Sequence, residues 1–391
     1  MVFSLWWFLS PEIVFGEDAL DYLEQIKGRR AFIVTDKTIC GLGFVDIVVA
    51  KLRKAGMEVQ VFDGVEREPS VENVSKGAET LTQFAPDWII GLGGGSCIDA
   101  AKAMWVLYEN PNLRVEEINP MTELTLRQKA KLVAIPTTSG TGSEATWAAV
   151  ITEPKERRKM ELPSKQLIAD IAILDPALPT LMPPELTADT GMDALAHAVE
   201  AFASTWSTDF TDALALKAIK LVFENLAKAC SNRKDRQVRE RMHNAATLAG
   251  MAFSNSQLGV AHAMAHSLGG VLKLPHGKTV GMMLPYVIRF SRKEAAERYA
   301  DILQNLGVST GPGEDSADVL ASTVERLMRQ IGETLSLEEW GIGREIFTNA
   351  LDLLVERACE STLPALSPRV PSEAEVRKLF EYAYEGRRVD F

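Results

Sequence analysis

The chain is expected to fold as an α/β domain with a parallel sheet, followed by an all-α domain. Three observations in its 391 residues lead there. Short apolar runs alternate with helical patterns through the first half, as in βαβ units. Most of those runs are continuously apolar, as in DWIIGLG, which implies a parallel sheet buried on both faces. From about Thr187 onward the periodicity is helical and β-branched runs almost vanish. The boundary falls at the end of the proline-rich stretch 161–186, which sets the domains at 1–185 and 186–391.

The elements follow in order. LWWFL (5–9) reads as an N-terminal strand; it lacks the basic flank and the length of a signal peptide, and Pro11 cuts it off. AFIVTD (31–36) reads as a buried strand, and MEVQVFD (57–63), DWIIGLG (87–93) and KLVAIPT (131–137) read as further strands. Between them, 42–55, 71–84 and a segment from about Ser96 read as helices. The polar stretch 307–318 reads as a surface loop inside the helical half.

Composition narrows the function classes. A hydrophobic fraction of 46% and a charged fraction of 24% are those of a globular protein. The net charge of −11 argues against nucleic-acid or anionic-membrane partners, which need a basic face. No apolar run approaches the roughly 20 residues that span a bilayer. Four scattered cysteines without a C-x-x-C pair read as reduced thiols, so a cytoplasmic location is expected.

Two loops in the first half suit a nucleotide. GLGGGSCIDAAK (91–102) closes a strand and opens a helix. Glycines there admit a pyrophosphate to the backbone N–H groups, and the helix terminus adds partial positive charge. The spacing departs from G-x-G-x-x-G, because Ser96 holds the last position; a plain tight turn is the alternative. PTTSGTGSEAT (136–146) follows the next strand with six hydroxyls, or serves as a capped turn. Asp36 ends the first strand of this series, where a carboxylate accepts ribose hydroxyls and repels a 2′-phosphate, favouring NAD over NADP. Its alternative role is N-cap of a helix starting at Lys37.

A metal constellation marks the second half. Asp193 and His197 are i and i+4 in GMDALAHAVEAF, on one helix face. His262 and His266 repeat the spacing in VAHAMAHSLGG, a helix expected to end at Gly269-Gly270. His276 follows in the LPHGK turn, just before another apolar helix. Four of the five histidines thus fall in two otherwise apolar segments, with only His243 outside. Burying these groups is costly unless something satisfies them, and a divalent metal would do so. Such a metal polarises an alcohol oxygen, and a nicotinamide takes the hydride.

Together, GGGSCIDAAK, IPTTSGTGSEAT, ITEPKERRK, MPPELTADTGMDALAHAVEAF and AHAMAHSLGG…LPHG resemble the iron-containing (group III) alcohol dehydrogenase family across roughly 10–290. The resemblance implies an N-terminal Rossmann-like domain and a helical C-terminal domain, the dehydroquinate synthase-like architecture, with the active site in the cleft between them. It implies metal ligation by Asp193, His197, His262 and His276. His266 becomes a proton-relay or substrate-positioning residue instead of a ligand. NAD contacts map to Asp36, Gly94, Gly95, Ser96, Asp99, Thr137, Thr138, Thr146 and Lys159. The family implies a small alcohol or aldehyde substrate, Fe2+ or else Zn2+, NAD with NADP as the alternative, and a homodimer or larger homo-oligomer. Cys97 reads as a small helix residue.

Two rivals share the architecture. A glycerol-dehydrogenase-like zinc enzyme is the nearer one, and the PTTSGTGSE and AHAMAHSLGG wording favours the iron-type branch. A dehydroquinate-synthase-like lyase needs several basic residues around its metal for a phosphorylated, carboxylated sugar. Lys273 and Lys278 alone flank the candidate ligands.

Overall fold

The computed structural model describes residues 7–155 and 158–391. These form two compact units, one up to Leu181 and one from Met182.

The first unit carries eight strands and four helices among its described residues. In chain order they are β1 (Glu12–Phe15), β2 (Arg30–Val34), α1 (Lys37–Gly41), α2 (Phe44–Lys54), β3 (Glu58–Phe62) and α3 (Val71–Phe84). Next come β4 (Trp88–Gly93), α4 (Gly95–Glu109), β5 (Lys131–Pro136), β6 (Ala148–Glu153), β7 (Arg158–Pro163) and β8 (Ile171–Leu174). Six strands make one parallel sheet in the order β1-β8-β5-β4-β2-β3. Alternate residues of β2 feed opposite cores: Phe32 and Val34 on one face, Ala31 and Ile33 on the other. All six residues of β4 are buried, which accounts for the unbroken apolar run in its sequence. Strands β6 and β7 form a separate antiparallel ribbon.

The second unit is helical: α5 (Pro184–Ala203), α6 (Asp209–Ser231), α7 (Arg236–Ser256), α8 (Val260–Leu272), α9 (His276–Phe290), α10 (Ala296–Leu306), α11 (Ser316–Gln330), α12 (Arg344–Glu360) and α13 (Glu373–Glu385). A single apolar cluster runs through it, from Met192 on α5 to Phe380 and Tyr384 on α13. Among the described residues, no helix is long and apolar enough to cross a membrane.

Three expectations need correction. No strand covers Trp7–Leu9, and Leu5 and Trp6 lie outside the described residues. The edge strand is instead Glu12–Phe15, because its four-residue partner β8 begins at Ile171, opposite Glu12. That partner lay hidden in the proline-rich stretch, as IAIL between Asp170 and Asp175. Helix α8 does not end at Gly269-Gly270 but continues to Leu272 and closes on Lys273 in the left-handed region (φ 56°). Packing of α8 against α9 and α12 outweighs a local penalty of about 1 kcal/mol per helical glycine. His276 is the first residue of α9, not a turn residue; Pro275 before it stands at the N-cap.

Candidate metal centre and nucleotide loop

Helix α5 starts at Pro184, whose fixed φ suits the first turn, and continues through an alanine-rich run that favours helix. Asp193 and His197 therefore share one face, and both are buried. His262 comes from the first turn of α8 and His276 from the start of α9. Their three Nε2 atoms surround one oxygen, Asp193 Oδ1, at 3.6 Å (His197), 3.6 Å (His262) and 3.4 Å (His276). The ligand atoms of Asp193, His262 and His276 all lie within 4.8 Å of one another. His197 lies outside that tighter group; its ring is sandwiched between Phe253 and His262, at centroid distances of 4.3 and 4.5 Å.

The donors fit a divalent cation. Asp193 Oδ1 and His262 Nε2 are buried and make no hydrogen bond. Leaving such atoms unpaired costs on the order of 1–3 kcal/mol each, which a cation among them removes. Burial would raise the Asp193 carboxyl, but His197, His276 and His262 around it hold it well below the usual carboxylate range. Burial would lower His262, but the Glu200 and Asp193 carboxylates push it up to about 9. Half-buried His266 stands beside this group, its ring 5.1 Å from that of His276 and 6.2 Å from that of His262.

In the first unit, Gly93 pairs with Pro136, so the loops that follow β4 and β5 leave the sheet side by side. Gly93 adopts φ +149°, and a Cβ there would meet Cys97 Sγ at 2.5 Å, so glycine is required. Gly94 caps α4, and Thr137 N–H donates to Gly93 O at 2.9 Å. A Cβ on Gly94 would touch Thr138 at 3.4 Å, and one on Gly95 would crowd Thr141 at 2.9 Å. Gly94, Gly95, Ser96, Thr137 and Thr138 are thereby gathered at the α4 N-terminus, a natural anion site.

The other nucleotide candidates have partners within the protein. Ser96 Oγ donates to Arg67 O at 2.5 Å. Asp99 accepts from Ser143 Oγ and, at 3.0 Å, from Val150 N–H. Thr146 Oγ1 lies 2.9 Å from Lys102 Nζ. Lys159 pairs with Glu68 at 2.9 Å. Asp36 caps α1 through Ile39 N–H (2.9 Å) and accepts from Cys97 Sγ–H at 3.4 Å. Its N-cap role is thus realised in the fold.

Sequence reasoning missed two residues. Lys102, fully buried, donates to the carbonyls of Ser143 (2.7 Å), Thr146 (2.8 Å) and Ala148 (2.8 Å), tying the second loop to α4. Its signal was a lone lysine on an otherwise small and apolar helix segment. Glu200 accepts from Ala261 N–H at 2.7 Å and from His262 Nδ1–H. It continues the i, i+4, i+7 stripe of Asp193 and His197, which was there to be read.

Two family profiles match the chain: "Iron-containing alcohol dehydrogenase" over residues 10–176 and "Fe-containing alcohol dehydrogenase family, C-terminal" over 187–384. The chain belongs to the iron-containing alcohol dehydrogenase family. It is an NAD(P)-linked oxidoreductase of that family. A relative in Clostridium saccharobutylicum, the "NADPH-dependent butanol dehydrogenase", is 45% identical, with 98% of this chain and 99% of that protein covered. The aldehyde-alcohol dehydrogenase of Streptococcus pneumoniae serotype 4 is 38% identical over 97% of this chain, which spans only 46% of that longer protein. The solved iron-containing alcohol dehydrogenase from Thermococcus thioreducens is 34% identical, with TM-score 0.89, 98% of this chain and all of that one covered.

Proposed function

We propose that this alcohol dehydrogenase interconverts a small primary or secondary alcohol and its aldehyde or ketone. Asp193, His197, His262 and His276 would hold one divalent metal, Fe2+ in the first place and Zn2+ as the alternative. The observation carrying this reading is the convergence of three imidazole Nε2 atoms on one buried carboxylate oxygen, at 3.4–3.6 Å. When bound, the metal supplies Lewis-acid polarisation of the substrate oxygen, and the nicotinamide accepts or donates hydride. Asp193 contributes the one negative charge among the four ligands. His266, half-buried beside His276, is suited to pass a proton between the substrate hydroxyl and solvent.

Gly94, Gly95 and Ser96 would hold the pyrophosphate at the α4 N-terminus, with Thr137 and Thr138 beside it. Asp99, Thr146 and Lys159 would complete the nucleotide site, partly by shaping the second loop. Asp36, two residues beyond β2, supports NAD, since its carboxylate repels a 2′-phosphate. One observation favours NADP as a second reading: the 45% identical relative is named NADPH-dependent. Its name also supports short-chain alcohols as substrates. The free thiols Cys40, Cys97, Cys230 and Cys359 support a cytoplasmic location, and family likeness supports a homodimer or larger homo-oligomer.

The test uses protein loaded anaerobically with Fe2+ or Zn2+ and a panel of two- to four-carbon aldehydes, each with NADH and NADPH. Turnover of at least one aldehyde is expected, and His276→Ala should lose both metal and turnover. A His276→Ala protein that keeps a full metal complement by elemental analysis defeats the ligand assignment.

A further inference from the structure

Glu200 is buried, and its surroundings offer the carboxylate little. It borders a cavity of about 20 Å³ with Tyr299, Ser291, Ser367 and apolar side chains, and the lining contains no lysine or arginine. A buried carboxylate without a lysine or arginine partner is costly, so it persists only where its acceptors are used. Among the described residues, Glu200 Oε1 takes Ala261 N–H at 2.7 Å and Oε2 takes the Nδ1 side of His262.

A carboxylate only accepts, so that contact places the His262 proton on Nδ1. Nε2, 3.6 Å from Asp193 Oδ1, is then the nitrogen left to a metal. Both Glu200 partners are donors from the first turn of α8, so the two bonds together fix where His262 stands and which nitrogen it offers. Gly259 is shaped to this arrangement: a Cβ there would lie 2.9 Å from Glu200 Oε1 and 2.7 Å from Ser367 Oγ. The constraint is spatial, since Gly259 has a negative φ (−140°).

We infer that Glu200 is a positioning residue for the metal centre, acting through His262 by fixing its tautomer and ring orientation. The inference rests on the proposed ligand set and adds a residue from outside it. Glutamine in place of Glu200 keeps the size but offers one oxygen to two donors. Either Ala261 N–H loses its acceptor, or the amide NH2 faces Nδ1 and favours the tautomer with Nε2 protonated, which cannot ligate.

The experiment measures Zn2+ affinity of the metal-stripped protein by competition with a chromophoric chelator, alongside NADH affinity and metal-free thermal unfolding. Glu200→Gln should bind Zn2+ 10–100-fold more weakly than wild type, with NADH affinity unchanged. A space-filling role would instead lower the metal-free unfolding temperature and leave Zn2+ affinity alone. Folded Glu200→Gln with wild-type Zn2+ affinity overturns the inference. If that variant does not fold, Gly259→Ala decides: it pushes on Oε1 without altering the carboxylate and should weaken Zn2+ several-fold, and unchanged affinity overturns the inference. Two controls separate the underlying reading. A wild-type protein that binds no Zn2+, or a His276→Ala protein that binds it normally, defeats the ligand set and this inference with it. Normal Zn2+ binding by wild type and Glu200→Gln, but not by His276→Ala, defeats the role of Glu200 alone.

Discussion

His262 and His266 sit one turn apart on α8, yet their surroundings differ. His262 is enclosed between Glu200 and Asp193, whereas His266 is half-buried beside the His276 ring. A buried, doubly anchored imidazole suits a ligand; a half-buried one that reaches solvent suits proton transfer. His262→Ala should therefore lose the metal by elemental analysis. His266→Ala should keep it while kcat falls by about 10²–10⁴, the usual worth of a general acid–base group. Loss of metal from His266→Ala would reverse the two assignments. Spacing alone left both histidines as candidate ligands, because i and i+4 residues share a face whatever each one touches.

At the scale of elements, close packing sets the site. The first turn of α9 lies against the backbone of α5: a Cβ on Gly277 would come within 2.3 Å of Asp189 O. Gly277→Ala must push the two helices apart and carry His276 away from Asp193. Urea unfolding should show a loss of about 1–3 kcal/mol, with a lower metal content as well. In the first unit, Lys102 does the equivalent work for the loop at 143–148. Burial lowers its ammonium to about 8, against the opposing pull of Asp99 and Glu144. At neutral pH the charged group gives its three protons to three carbonyls, which a methionine cannot do. Lys102→Met should therefore loosen the loop and weaken NADH binding several-fold in a fluorescence titration. A variant with wild-type NADH affinity would mean that other contacts hold the loop.

At the scale of the molecule, the two compact units each carry one proposed ligand site, and two units need not unfold as one. A ligand that binds only the folded state stabilises it by RT ln(1 + [L]/Kd), about 2.7 kcal/mol at a hundredfold excess over Kd. Calorimetry should show Zn2+ or Fe2+ raising the transition of the helical unit, and a chelator reversing the shift. NADH should raise the other transition. Metal that moved only the α/β transition would place its site in the wrong unit.

Much of this protein was legible in the chain itself. Continuous apolar runs announced β2, β4 and β5, the alternating EVQVF announced β3, and α3 fills the 71–84 window that periodicity marked. Local chemistry was legible too: the glycine-rich turn into α4, the Asp193–His197 stripe and the family motifs that carry the site. What escaped was set by distant partners. Strands β1 and β8 are four residues each, too short for a periodic signal, and exist because they pair with each other and with the sheet. Helix α8 runs through two glycines because its neighbours hold it. Asp36 caps a helix, and Glu200 and Lys102 acquire their roles from residues 62 and up to 46 positions away. The sequence by itself determined the two-part architecture, the family and the types of residue at the site. Only the tertiary structure decided which histidine meets which carboxylate, because burial and hydrogen-bond geometry arise where separate segments meet.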